Sequence, residues 1–274
     1  MNLTSTVTLN NQVKMPQLGF GVFKSAEGKE TYQAVRWALE AGYRHIDTAM
    51  IYGNEESVGK AIHDSGIPRA EIFLTTKLWN DDMRKDRQEK AFQESLDRLQ
   101  VDYVDLYLIH WPVAEKFHES WKIMEKIYRT GKARAIGVSN FQQHHLETIL
   151  ADAVIVPAVN QVELNPQLTQ VPLFDFCTGK GILMEAWSPL GGGELVSDPR
   201  LAEIGAKYQK SAVQVILRWD LQRGIITIPK SVHKDRIINN TKIFDFELSA
   251  QDMADINSLN KDIRTGADPD TFDF

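Results

Sequence analysis

The strongest constraint on this chain is a rhythm. Eight short apolar runs rich in Val, Ile and Leu alternate with amphipathic stretches of ten to fifteen residues. The runs are Leu18–Gly21, Arg44–Asp47, Ile72–Lys77, Val104–His110, Ala133–Ser139, Ala158–Glu163, Ile182–Trp187 and Ile225–Ile228. Between them lie helical patterns such as Glu30–Ala41, Glu55–Ser65, Asp86–Leu99, Glu119–Thr130, Gln142–Leu150 and Ser211–Gln222. Gly66, Gly131 and Gly224 stand just past three of them, where a left-handed C-cap is wanted. Strands that alternate with helices pair in parallel through right-handed crossovers. Eight such units predict an α/β fold, a (β/α)8 TIM barrel, with an open doubly wound sheet as the alternative. Thr6–Leu9 and Gln12–Met15 around Asn10-Asn11 predict an N-terminal β-hairpin ended by Pro16. Two extra helices, Pro199–Gln209 and Ser249–Leu259, interrupt the alternation. No linker or low-complexity tract divides the chain, so a single barrel domain over residues 1–274 is expected, and Arg264–Phe274 reads as a loop on the surface.

Charge and cysteine content narrow the function. The net charge is -6 without a run of Lys and Arg, which argues against general nucleic-acid binding. The single cysteine, Cys177, permits no internal disulfide and no thiolate metal cage, and its apolar helical setting reads as an inert buried thiol. The first residues lack a signal peptide's basic start and apolar stretch, and no run approaches the ~20 apolar residues of a membrane helix. A cytoplasmic protein is expected, with no membrane or nucleic-acid partner.

In such a barrel the side chains at the C-terminal ends of the strands face the site of chemistry. The second run ends in Asp47, with Tyr52 just beyond it; the third ends in Lys77 and the fourth in His110. Four polar groups of four kinds therefore converge on one rim. A phenol of pKa near ~10 is a poor acid at neutral pH, but an ammonium group beside it favours the phenolate. Asp47 would hold Lys77 charged and fixed, and His110 would orient a carbonyl oxygen. The set suits general acid catalysis on a carbonyl while a hydride arrives at carbon.

The segments Gly42–Ala49, Thr76–Trp79, Asp105–Pro112, Ile136–Phe141, Val159–Gln161, Trp187–Gly191 and Ile228–Ser231 resemble, in order along the chain, the aldo-keto reductase superfamily. The likeness is greatest to its short microbial members: 2,5-diketo-D-gluconate reductases, glyoxal and methylglyoxal reductases, and a trypanosomal prostaglandin F synthase. It implies a monomeric, NADPH-dependent oxidoreductase that reduces small aldehydes, α-dicarbonyls or keto-sugars, with Tyr52 as proton donor and Asp47, Lys77 and His110 completing a tetrad.

A dinucleotide fingerprint of the G-x-G-x-x-G kind is absent; Gly191–Gly193 reads as a flexible loop. The end of the eighth strand carries Lys230, Ser231, Val232 and Arg236, where barrels favour phosphate and where cations suit a 2′-phosphate over a free ribose. The resemblance assigns these residues to NADP+, with Asn239 and Asn240 at the adenine; many relatives carry Glu where Asn239 stands. It further implies that Trp187 stacks on the nicotinamide, that Ser139, Asn140 and Gln161 hold the carboxamide, and that Ser188 and Leu190 flank the cofactor. Phe23, Trp79 and Trp111, with His110, would line the substrate pocket, and a short rim predicts that this pocket is open. His144 and His145, adjacent on a helix, are expected to point apart, so no metal site is expected there. Alternation puts His45, Glu163 and Glu185 inside the barrel, with His45 paired to one of the two glutamates. Two rival functions are a Schiff-base aldolase built on Lys77 and a nucleotide-sensing regulatory subunit.

Overall fold

The computed structural model describes all 274 residues. A hairpin of β1 (Thr6–Thr8) and β2 (Lys14–Pro16) precedes an eight-stranded parallel sheet. The sheet consists of β3 (Phe20–Gly21), β4 (His45–Asp47), β5 (Phe73–Leu78), β6 (Leu106–Ile109), β7 (Ile136–Ser139), β8 (Val159–Glu163), β9 (Leu183–Trp187) and β10 (Ile226–Thr227), each beside the next. Leu18 bridges Thr227 in parallel, and the amide of Gly19 donates to the Thr227 carbonyl at 2.9 Å. These bonds join the first strand to the last, so the sheet is a closed barrel and not an open doubly wound one.

Helices α1 (Lys29–Glu40), α2 (Glu55–Asp64), α4 (Gln88–Leu99), α5 (Phe117–Arg129), α6 (Gln143–Leu150), α7 (Val171–Gly179), α9 (Ala212–Gln222) and α10 (Lys234–Asn239) follow the strands in turn. The two extra helices are α8 (Pro199–Tyr208) and α11 (Ala250–Asn257). A short α3 (Asn80–Arg84) after β5 carries no apolar periodicity long enough to be legible in sequence. Gly66, Gly131 and Gly224 end their helices at φ of 71°, 76° and 78°, the left-handed caps expected of them.

Two local expectations change. The positive φ of the hairpin falls on Gln12 (72°), while the Asn10 amide donates to the Val156 and Pro157 carbonyls and that of Asn11 to Arg134. Those two residues serve to fasten the hairpin to the barrel, and Pro16 is the last residue of β2, where the hairpin ends. Gly191–Ser197 is a kinked 3₁₀ segment, not a flexible loop, with left-handed glycines throughout its start (φ 58°, 66° and 103°).

Strand alternation sorts the side chains. Outward residues such as Ile46, Leu74, Tyr107 and Val138 join the main core between barrel and helices. Inside, Phe73, Leu106, Leu108, Ala158, Val159 and Ile226 form a dry floor, into which the hairpin presses Leu9 and Met15. With its lower end stopped by this plug, the barrel can receive a ligand only at the C-terminal ends of its strands. No helix is long and apolar enough to cross a membrane.

Candidate active site

At that upper end the four predicted polar groups meet. Lys77 is fully buried; its Nζ donates to Asp47 Oδ1 at 2.7 Å and to the Thr48 carbonyl at 2.9 Å, and lies 3.4 Å from the Tyr52 hydroxyl. Parallel register explains the meeting. Asp47 lies opposite Thr75, so Lys77 stands one inward position higher and reaches back across the strand boundary. Tyr52 arrives on a 3₁₀ turn, Met50–Tyr52, which Gly53 closes at φ 65°. His110 follows β6, its ring centroid 5.7 Å from that of Tyr52, and its main-chain carbonyl accepts from Asn140 Nδ2 at 3.0 Å.

The charges are unequally poised. Lys77 is held above its ordinary value: burial opposes the charge, but Asp47 and Tyr52 together outweigh it. His110 lies well below its usual range through burial and the nearby Lys77, so it is neutral at physiological pH. Its Nδ1 is enclosed and unpartnered, which leaves the other ring nitrogen to meet a substrate. For Tyr52 the expected net lowering is not found: burial raises the phenol above its ordinary value, and the pull of Lys77 only partly offsets it. The same burial that seats the cation desolvates the phenol, and that penalty is the larger of the two.

The residues expected around a nicotinamide form one network. Gln161 Nε2 donates to Asp47 Oδ2 and to Glu185 Oε2, each at 2.8 Å. Ser139 Oγ donates to the Gln161 carbonyl at 2.8 Å, and Trp187 Nε1 donates to Asn140 Oδ1 at 2.8 Å. Trp187, Ser188 and Leu190 are half-buried along the same edge. Beyond β10, Ser231 and Asn240 are buried, Lys230 and Val232 half-buried, and Arg236 and Asn239 exposed. Lys230 Nζ meets only the Lys24 carbonyl, at 3.1 Å, and neither Lys230 nor Arg236 has a carboxylate partner. Two unpaired cations beside a buried hydroxyl are the donor set a phosphate monoester requires. Asn239 differs: its side-chain oxygen accepts from Lys242 at 3.0 Å.

The aromatic wall is larger than predicted. Phe23 is 53% exposed with its ring 5.0 Å from that of Tyr52, and Trp79 lies 5.2 Å from His110. The tail does not merely lie on the surface. Phe274 stacks on Trp79 at 5.9 Å and 3°, and both Phe272 and Phe274 pack on Trp111 at 5.1 and 5.2 Å. Asn80 and Arg84, on the unforeseen α3, donate to the Phe274 carbonyl at 3.0 and 2.7 Å. Further up the tail, Glu163 accepts from the Thr265 and Gly266 amides at 2.8 and 3.1 Å. The rim is therefore lined by aromatic tail residues where an open mouth was expected. Two phenylalanines in an otherwise polar tail were the available signal.

Two histidine expectations resolve differently. His45 Nε2 lies 3.6 Å from Glu185 Oε1, both fully buried, so Glu185 is the glutamate beside it. His144 and His145 do not point apart: their ring centroids are 4.0 Å from each other, and both face Asp270 of the tail, at 3.2 and 3.7 Å. They stand in the first turn of α6, where the His145 ring folds back so that Nδ1 accepts from the Gln142 amide at 3.1 Å. That bond puts the proton of a neutral His145 on Nε2, facing Asp270. The trio is a polar latch on the tail rather than three free lone pairs converging on a cation.

The family model described as "Aldo/keto reductase family" matches residues 17–261. A glyoxal reductase of Bacillus subtilis is 55% identical over 273 residues, covering 100% of this chain and 99% of that protein. A 9,11-endoperoxide prostaglandin H2 reductase of Trypanosoma cruzi is 52% identical over 97% of this chain and 95% of its own length. The crystal structure of a Bombyx mori aldo-keto reductase in complex with NADP superposes with a TM-score of 0.92 at 39% identity, covering 98% of this chain and 97% of that one. From the strand-end tetrad to this match over nearly its whole length, the chain belongs to the aldo/keto reductase family.

Proposed function

We propose that this protein is an NADPH-dependent carbonyl reductase acting on small aldehydes and α-dicarbonyls such as glyoxal and methylglyoxal. The observation that carries the reading is the single ammonium of Lys77 bound to Asp47 and the Thr48 carbonyl and set 3.4 Å from the Tyr52 hydroxyl. When bound, NADPH supplies the hydride. The chain's own residues do the rest. Neutral His110 hydrogen-bonds the carbonyl oxygen and so sets the face presented. Tyr52 donates its proton to that oxygen as negative charge develops there, and the adjacent Lys77 stabilises the phenolate left behind. Asp47 keeps the ammonium charged and aimed. The indole of Trp187 offers a flat apolar wall for the nicotinamide, beside the amides of Asn140 and Gln161 and the hydroxyl of Ser139. Trp79, Trp111, Phe272 and Phe274 exclude water from the reacting carbonyl.

The substrate assignment is supported by the glyoxal reductase at 55% identity, with 2,5-diketo-D-gluconate and prostaglandin H2 as the alternative substrates. The aldolase reading is disfavoured, because a Schiff base needs a neutral amine and Lys77 is held charged. We further propose that residues 1–274 form a single barrel domain and that the protein is a cytoplasmic monomer, an oligomeric state that size-exclusion chromatography with light scattering tests.

Cofactor choice is tested at the far end of the site. Each charge-assisted bond to the 2′-phosphate is worth ~1.5–3 kcal/mol, so Lys230→Met or Arg236→Ala should raise the Kd for NADPH roughly 10- to 100-fold. The Kd for NADH should barely move. Fluorescence titration reads both values, and an equal loss for the two nucleotides would overturn the assignment of Lys230 and Arg236.

A further inference from the structure

Beneath the tetrad, two buried carboxylates share one amide. Gln161 Nε2 gives one N–H to Asp47 and the other to Glu185, both at 2.8 Å. Asp47 also has Lys77, but Glu185 has no cation of its own, and its Oε1 has no hydrogen-bond partner. His45 Nε2 lies 3.6 Å from that oxygen, beyond hydrogen-bond length, and has a nearer contact of its own in Thr75 Oγ1 at 3.3 Å.

The charges around Glu185 can be counted strand by strand. From β4 come Asp47, which is negative, and His45, which burial and Lys77 push down to about 3 and so keep neutral. From β5 comes Lys77, positive, and from the turn beyond β4 the Tyr52 phenol. From β8 comes Gln161, uncharged, and β10 contributes Ile226 and Thr227, neither of which titrates in water's range. One cation thus faces one anion already. An ionised Glu185 would be a second, unmatched negative charge in a site shielded from water, an arrangement burial penalises heavily.

We propose that Glu185 is a positioning residue held as a neutral carboxylic acid, and that its proton keeps the Gln161–Asp47–Lys77 array in the arrangement that lets Tyr52 act as an acid. This rests on the carbonyl-reductase reading above. The proton sits on Oε1, the oxygen that Gln161 does not occupy. Burial and the neighbouring Asp47 push the carboxyl up to about 8, so the protonated form prevails at neutral pH. For an acid raised in this way, the competent form exists below that pH and is lost above it. Ionisation would place a negative charge near the phenol and make Tyr52 a weaker acid. It would also draw the Gln161 amide toward Glu185 and away from Asp47. Turnover should therefore fall on the alkaline side because of Glu185, while Lys77 is still charged and Tyr52 still protonated.

Two measurements test this. The first is kcat for methylglyoxal reduction between about pH 6 and pH 10, for the wild type and for Glu185→Gln, which mimics the neutral acid. Wild-type kcat should fall up to about tenfold per pH unit beyond pH 8, whereas the variant should hold its own neutral-pH rate to about pH 9.5. The same alkaline limb in both proteins would overturn the proposal. The second is infrared spectroscopy of protein carrying 13C-labelled glutamate. A carboxylic C=O band that shifts with the label, and disappears as pH rises through about 8, should be present in the wild type and missing from Glu185→Gln. The label separates it from buried Asp220, which burial also raises to about 8. This band does not depend on turnover: its presence supports the neutral acid even in a protein that reduces no carbonyl, and its absence overturns it.

Discussion

Tyr52→Phe is expected to lower kcat for carbonyl reduction by about 10²- to 10⁴-fold, the usual worth of a positioned general acid. The ring stays, so its packing against Phe23 and His110 stays too. What is lost is the only hydroxyl beside the Lys77 ammonium, at 3.4 Å. KM should change little, because the proton matters only as charge develops on the carbonyl oxygen. Binding of NADPH, read by quenching of tryptophan fluorescence, should persist. A variant that keeps wild-type kcat would remove Tyr52 from the chemistry. One that loses NADPH affinity in step with kcat would make the residue structural.

The second large effect is on stability. Lys77 and Asp47 are 0% and 2% exposed, and each satisfies the other. Removing one partner of such a pair leaves a buried charge alone, so Lys77→Met should cost ~3–5 kcal/mol at pH 7. The double variant Lys77→Met/Asp47→Asn should recover most of the stability at pH 7 and none of the activity. Urea melts of the three proteins at pH 7, beside their turnover, separate the two effects. A single variant as stable as the wild type would mean that the pair does not hold the site together.

Much of this architecture was legible because it rests on periodicity and register. The eight runs alternate cleanly with amphipathic helices, and strand alternation alone puts Asp47, Lys77 and His110 on the inner face. Their meeting needed only the parallel order of neighbouring strands. What escaped was set by contacts far apart in sequence. The five-residue α3 has no period to detect, and its Asn80 and Arg84 gain their purpose only when the tail returns to them 190 or more residues later. The convergence of His144 and His145 depends on a helix-cap bond to the Gln142 amide that a helical wheel does not contain. The direction of the Tyr52 shift depended on how deeply the phenol and its lysine are desolvated, which residue identities do not encode. Glu185 was legible as a buried neighbour of His45, but its shared amide with Asp47 appears only in three dimensions.

The most direct test of this hydride-transfer chemistry is a single turnover of methylglyoxal with NADPH carrying deuterium at the transferable position of C4, with excess enzyme and the product alcohol examined by mass spectrometry. One deuterium is expected on the new carbinol carbon, and no adduct trapped on Lys77 by borohydride. Consumption of the cofactor with no deuterium in the alcohol, or a borohydride-stable adduct at Lys77, would contradict it.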